Sequence, residues 1–334
     1  MAVDVDDVIA TEDRPRRITL VRDTPDRVFR GVATASGCTV LGIMLLVGLF
    51  LTVRASHALK ESGFSFLTTQ AWDPDGGNFG VAAVLTGTIL IAGVAVCVAF
   101  PLSTATSLYI TQYAPEPMRK ALVSVIDLMA AIPSVVYGLW GFFFLQAKVA
   151  PVSAWISRHF GWFPLFKVDG VSADDPLPST TIFTASTLIA GLVVGMMITP
   201  VVTSIMREVF SQVPGGEREG AFALGATKWG VIRTVVLPFG KGGMIGGTML
   251  GLGRALGETI AVYMIISPVF TIQPHILQSG AISVSSLIAL DFAEANAFGL
   301  SALMAAGLAL FLLTLVINFA ASSVVARSRS GASS

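Results

Sequence analysis

Apolar residues fall along the chain in six long runs rather than in the short patches of a soluble fold. The runs cover residues 31 to 53, 80 to 103, 121 to 145, 182 to 205, 244 to 266 and 298 to 325. Each is long enough for the roughly 20 residues that a helix needs to cross a bilayer. Alternation on the ten-residue scale of an outer-membrane barrel strand is absent, so the runs predict helices, which satisfy their own backbone hydrogen bonds in lipid. One polar connection, residues 207–241, has helical periodicity of its own. Val213-Pro214-Gly215-Gly216 signals a turn, and Glu217 and Glu219 stand where carboxylates favour a helix start. Ala221, Leu224, Trp229, Ile232 and Val236 then recur at helical spacing around Gly225. The pattern predicts two short helices meeting at a glycine corner, closed by Leu237-Pro238 before the fifth span.

Composition agrees with the runs. Only 13% of the 334 residues are charged and 54% are hydrophobic, against about 25% charged in soluble domains, so the chain reads as an all-α polytopic membrane protein. The balanced formal charge conceals an asymmetry. With both termini placed in the cytoplasm, fifteen of the 21 basic residues fall on that side and five on the other, the last being Arg254 within a span. No basic face suited to nucleic acid remains. The expected organisation is a cytoplasmic tail over 1–30, a membrane domain over 31–325 and a second cytoplasmic tail over 326–334. About 30 polar residues before the first apolar run exclude a cleavable signal peptide. Cys38 and Cys97 both lie within runs and read as buried free thiols.

Arg254 and Glu258 then stand out, because an ionisable group near mid-bilayer costs several kcal/mol unless a partner or a cavity receives it. A guanidinium offers planar, permanently charged donors suited to an oxyanion. Glu258, four residues on, falls on the same helical face and is expected to pair with Arg254 when no anion is present. The pair reads either as a gate or as a permanent structural ion pair. Gly247 and Gly251 recur at four-residue spacing, as do Gly253 and Gly257, which predicts faces for close helix packing. Pro133-Ser134 and Pro200 interrupt the backbone ladder inside spans, and Ser134 is a candidate for the pathway wall. Asp127 is expected to snorkel.

The segment Glu219-Gly220-Ala221, Gly225, Val235 and Leu237-Pro238 resembles the E-A-A-x-x-x-G-x9-I-x-L-P loop of permease subunits of bacterial ATP-binding-cassette importers. Gly220 and Val235 depart from its Ala and Ile. The resemblance implies a type I importer permease fold with six transmembrane helices, multi-pass in the bacterial cytoplasmic membrane. It also implies that Glu219, Ala221, Gly225, Leu237 and Pro238 couple the chain to a cytosolic ATPase. AAIPSVVYGLWGFF, SFLTTQAWDPDGGNFG and GLGRALGETIAV further resemble phosphate-specific permeases of the PstC family, more closely than the companion PstA type. Partners implied by that resemblance are a PstA-like second permease, a dimer of PstB-like ATPase subunits, a PstS-like extracytoplasmic phosphate-binding protein and inorganic phosphate. Sulfate or molybdate remains an alternative cargo. A secondary carrier or a scaffold is a second functional class, against which the unrepeated 207–241 loop speaks.

Other chemistry finds no support in the residues. No G-x-x-x-x-G-K-[ST] occurs, so ATP and Mg are expected on the partner ATPase, with no cofactor bound by this chain. His57, His159 and His275 lack metal-ligand spacing, and no nucleophile, acid and base constellation indicates an enzyme. The outer connections carry Trp72, Trp155, Trp162 and the paired Asp174 and Asp175, a composition suited to a docking rim.

Overall fold

The computed structural model describes residues 24–169 and 180–330, with side chains through 323. Most of the expected N-terminal tail, Asp174 and Asp175, and residues 331–334 of the expected C-terminal tail lie outside the described residues. Residues 24–30 already belong to the first helix, α1 (Thr24–Ser62).

Residues up to Phe50 and residues from Leu51 onward form separate units. In the first, the side chains of α1 are exposed almost throughout, and its outer surface is aliphatic, with Val40, Leu41, Leu45 and Leu49 among them. Such a surface is suited to lipid.

The second unit begins with the last turns of α1, where Ala55 and Ala58 are buried, and a 3-10 turn over Gly63–Leu67. A small antiparallel hairpin follows, β1 (Trp72–Asp73) and β2 (Asn78–Phe79), with Trp72 opposite Phe79. Next come α2 (Ala82–Leu108), α3 (Glu116–Ala131), α4 (Ser134–Trp140), α5 (Gln146–Phe160) and α6 (Thr187–Ser211). Then follow α7 (Gly215–Ala223), α8 (Lys228–Val231), α9 (Leu237–Leu256), α10 (Ile260–Ile265), α11 (Val284–Asp291) and α12 (Ala297–Ser330). Single π turns join α4 to α5 and α8 to α9, and among the described residues six helical segments are long and apolar enough to cross a membrane.

α2 and α6 form the most extensive interface, and α9 packs against both α6 and α2. In lipid, apolar burial gives helices little reason to associate, so close van der Waals contact must supply it. Small residues make that contact possible. Gly191 lies against Val94, and Gly195 against the Ala95 backbone. Along α9, Gly240, Gly243, Gly247 and Gly251 successively meet Phe210, Val209, Ile205 and Val202 of α6. Gly247 and Gly251 thus pack within the chain, whereas Gly253 has nothing within 4 Å and Gly257 touches only its own preceding turn. Pro200 sits in α6 beside Thr199, whose carbonyl accepts a 3.0 Å hydrogen bond from Ser103 Oγ of α2.

Two spans differ from the sequence expectation. The apolar run 121–145 is not one helix: α3 ends at Ala131, Ile132 is extended, and the span proper runs from Ser134 to Phe160. Pro133 disfavours a helical conformation at the residue before it. The apolar half of α3 adjoins the next helix in sequence, which hides the boundary. The fifth span starts earlier than expected, because the helix runs from Lys228 through the π turn to Leu256. Leu237-Pro238 therefore does not close the preceding segment. The widened turn Ile232–Val236 just before Pro238 accommodates a ring that lacks an N–H. Cys38 and Cys97 are exposed rather than buried, because apolar periodicity in a membrane helix does not separate core from lipid-facing positions.

Candidate functional site

The fifth span stops at Leu256, and the chain turns through Gly257, Glu258 and Thr259 before α10 begins. This break separates the two charges that the sequence placed on one helical face. Glu258 and Arg254 form no ion pair; among the described residues, the ion pairs found join Asp169 to Lys167 and His275. Glu258 is instead 8% exposed, and its Oε1 accepts the Ala261 N–H at 3.2 Å, satisfying a donor of α10's first turn. Its carbonyl accepts from Ser285 Oγ at 2.8 Å, which ties the break to α11. Arg254 lies in the last turn of α9, where the free carbonyls carry partial negative charge. Each charge therefore has a helix end of the favourable sign.

The Arg254 side chain is exposed and makes no hydrogen bond with a described residue. It lies within electrostatic range of Tyr137, on α4, whose hydroxyl donates to the Met129 carbonyl at 3.1 Å. α4 and α10 pack directly, with Gly138 against Ala261, so two half-helices that begin at backbone breaks lie side by side. Ser134 is half-buried in the first turn of α4, one turn before Tyr137. Tyr137 went unnoticed in the sequence because nothing local distinguishes it from an interfacial aromatic. On its open side Arg254 lines a cavity of about 570 Å³ with Val201, Gly246, Leu250, Gly253 and Asn318. Gly253 thus contributes open space rather than a packed face.

At one end of the unit, the 207–241 segment forms an elbow. Gly225 has φ +83, a left-handed conformation that glycine adopts without strain, and it ends α7. The Thr227 hydroxyl then accepts the Gly230 N–H at 3.1 Å and caps α8. Val236 is buried in a cluster with Phe210, Val213 and Val231, Ile232 is likewise buried, and Ala221 and Leu237 pack at the cluster's margin. Leu224 and Trp229 are not buried with them: they are 91% and 59% exposed. Glu219 and Pro238 are also exposed. The elbow is braced by Lys228, whose Nζ lies 5.5 Å from the Tyr113 ring centre in the π turn Tyr109–Tyr113 that continues α2. Arg119 of α3 donates to the carbonyls of Ile110 and Thr111 in that same turn.

At the opposite end the hairpin meets α11 and α12. Trp72 Nε1 donates to Asp291 Oδ2 at 2.7 Å, and Asn296 Nδ2 donates to Asp75 Oδ1 at 2.7 Å. Burial pushes the Asp291 carboxyl above its ordinary value, the Trp72 hydrogen bond opposes this, and the charge of Glu294 adds to it. Among the described residues no group of three or more His, Cys, Asp or Glu side chains could hold a metal ion.

Comparison with known proteins converges on this architecture. Over residues 98–330 the chain matches the family described as binding-protein-dependent transport system inner membrane component. It is 38% identical to the phosphate transport system permease protein PstC 2 of Mycobacterium tuberculosis over 323 residues, covering 95% of each chain. It is 40% identical to the phosphate transport system permease protein PstC of Pasteurella multocida, covering 87% of this chain and 88% of that one. In fold it is similar to a chain of a bacterial alginate ABC transporter crystallised with a pentasaccharide-bound periplasmic protein. That likeness has a TM-score of 0.58 at 15% identity, over 90% of this chain and 95% of the other. With six membrane-length helices, a braced elbow, and both sequence and fold pointing the same way, this multi-pass membrane protein is a member of the binding-protein-dependent transport system inner membrane component family.

Proposed function

We propose that the chain is one of two permease subunits of an ATP-driven importer, and that its cargo is inorganic phosphate. The observation that carries this reading is Arg254, a guanidinium within an apolar span that has no ion-pair partner among the described residues and opens on a cavity. A permanent cation there is costly in lipid, and its planar donors match an oxyanion. The naming of the Mycobacterium and Pasteurella relatives as phosphate transport permeases favours phosphate over other oxyanions.

In this reading the elbow faces the cytosol of a bacterial cell, with both termini on the same side. Leu224 and Trp229 supply an apolar knob for a groove on a separate ATPase, which binds the ATP and Mg. Buried Ile232 and Val236 join the knob to α9, so that movement of the elbow is carried along one helix towards Arg254. The companion permease covers the open side of α9 where Gly242, Gly246 and Gly253 meet nothing. The hairpin end receives the phosphate-binding protein. Vesicles holding this chain with a companion permease, an ATPase and a phosphate-binding protein should accumulate phosphate only when ATP is supplied, and Arg254→Gln should abolish accumulation without loss of assembly. Uptake without ATP would identify a secondary carrier, and normal uptake by the variant would remove Arg254 from the pathway.

A further inference from the structure

The cavity beside Arg254 has a second polar wall that the sequence patterns did not single out. Asn318 lies in α12, where it is the one amide, and no charged residue occurs between Ala297 and Ala326. Its side-chain amide makes no hydrogen bond with a described residue, although its carbonyl accepts from Ser322 Oγ. The Asn318 side chain is exposed on the flank of α12, and in a lipid setting an uncommitted amide there needs a partner from outside the described residues. Arg254 and Asn318 line the same cavity of about 570 Å³, whose other walls are Val201, Gly246, Met249, Leu250 and Gly253. Among the described residues, the guanidinium and the amide are therefore the cavity's only polar side chains, and neither is bonded elsewhere.

We propose that Asn318 and Arg254 together form an oxyanion site in which Asn318 sets the preference for phosphate over sulfate; this rests on the phosphate-importer reading above. The two side chains differ in what they offer. Arg254 provides donors only and attracts any oxyanion. The Asn318 amide provides a donor and an acceptor on one planar group. Phosphate near neutral pH still carries a P–OH hydrogen, which the amide oxygen can accept while the amide NH2 donates to a second phosphate oxygen. Sulfate carries no such hydrogen, so it leaves the amide oxygen facing an oxygen with its acceptor unsatisfied. A site built around a donor and acceptor pair rejects the analogue that lacks the hydrogen more strongly than shape alone can. The glycines at 246 and 253 have no neighbour within 4 Å and leave room for a hydrated anion between the helices.

The test reads anion occupancy of this cavity directly, in the complex with companion permease and ATPase and without binding protein. Val201→Cys, in a chain carrying Cys38→Ser and Cys97→Ser, reports modification by a charged thiol reagent in the presence of inorganic phosphate or sulfate at equal ionic strength. Phosphate should slow labelling about tenfold more effectively than sulfate, the scale set by one good hydrogen bond to a charged group. Asn318→Leu should reduce that preference to about twofold or less, Asn318→Ser should restore part of it, and Arg254→Gln should remove protection by both anions. Asn318→Ala, which adds no bulk, replaces the Leu variant if copurification shows that the latter does not assemble. An unchanged preference in Asn318→Leu or Asn318→Ala overturns the assignment, as does equal protection of the unsubstituted site by both anions. Phosphate uptake by the complete transporter is measured alongside. Uptake without protection removes the anion site and leaves the importer reading standing, whereas absence of uptake removes that reading and the site with it.

Discussion

Replacing Glu258 separates two accounts of why a carboxylate sits at the break that ends this membrane span. If it were the counterion of Arg254, removing either charge would strand the other, and breaking a buried pair in this way costs about 3–5 kcal/mol. In the structure the carboxylate serves the backbone instead. Its Oε1 accepts the Ala261 N–H at 3.2 Å, at the start of α10, and Arg254 stands in the last turn of a different helix. Glu258→Gln keeps an acceptor oxygen in place and should cost less than about 1 kcal/mol. Glu258→Ala leaves a buried N–H without a partner and should cost about 1–2 kcal/mol, the usual size of a lost helix cap. The double variant with Arg254→Gln is the decisive one. Its coupling energy, from equilibrium unfolding in detergent micelles, should lie within about 0.5 kcal/mol of zero, as for residues without a shared contact. The same cycle applied to phosphate uptake reads the logarithm of the rate ratio. A coupling above about 1.5 kcal/mol, or recovery of function in the charge-swapped Arg254→Glu, Glu258→Arg chain, would refute the helix-end account and reinstate the ion pair.

Three further outcomes follow from the same geometry. Gly87→Ala should destabilise the chain by about 1–3 kcal/mol because its Cβ would strike the Ile282 carbonyl, which is backbone and has little room to yield; Gly93→Ala, open on all sides, should gain about 0.5–1 kcal/mol, and thermal unfolding distinguishes them. Leu224→Asp or Trp229→Ala should abolish copurification with the ATPase while shifting the stability of the chain by less than about 0.5 kcal/mol, since both side chains are exposed. Asp291 has a raised folded-state pKa, so its protonated form is the one the fold favours. Its stabilising contribution is complete below the unfolded value of about 3.9 and is lost as pH rises through the folded one. Unfolding followed across that window should be flatter in Asp291→Asn than in the unsubstituted chain.

Much of this architecture could be read from residue order, and the parts that could not share a cause. Runs of apolar residues predict spans because lipid demands length, and Gly225 predicts a corner because a left-handed turn favours glycine. In the same lipid, apolar character ceases to mean buried. Cys38 and Cys97 both read as inward by a rule that belongs to soluble proteins, and both are exposed. The boundary at Pro133 is blurred in the sequence because apolar residues continue across it, although the helix does not. Tyr137 near Arg254, Asn318 in the cavity wall and Lys228 above Tyr113 depend on pairs far apart in sequence, which no local pattern reports.

The break at Gly257–Thr259 explains how the two charges coexist with so little surrounding compensation. A continuous helix through residues 244–266 would have placed Arg254 and Glu258 mid-helix, with every nearby backbone group already bonded and only each other for company. Ending α9 at Leu256 and starting α10 at Ile260 creates a C-terminus for the cation and an N-terminus for the anion within a few residues. Such helix ends contribute about 0.3–1 kcal/mol each at exposed positions and up to about 2 kcal/mol where partly buried. That is less than a full counterion would provide, which leaves Arg254 stabilised enough to persist in the span yet still able to gain from an arriving anion. Glu258, by contrast, has its carboxylate engaged at Ala261 and its carbonyl at Ser285, so it holds the break rather than the cargo. Glycine at 257 and the paired half-helices α4 and α10, in contact through Gly138 and Ala261, keep that break at the level of Tyr137. Joining α9 to α10 with Gly257→Ala and Thr259→Ala should therefore raise helix content and lower phosphate uptake together, and a gain in helicity with unchanged uptake would show that the break has no part in transport.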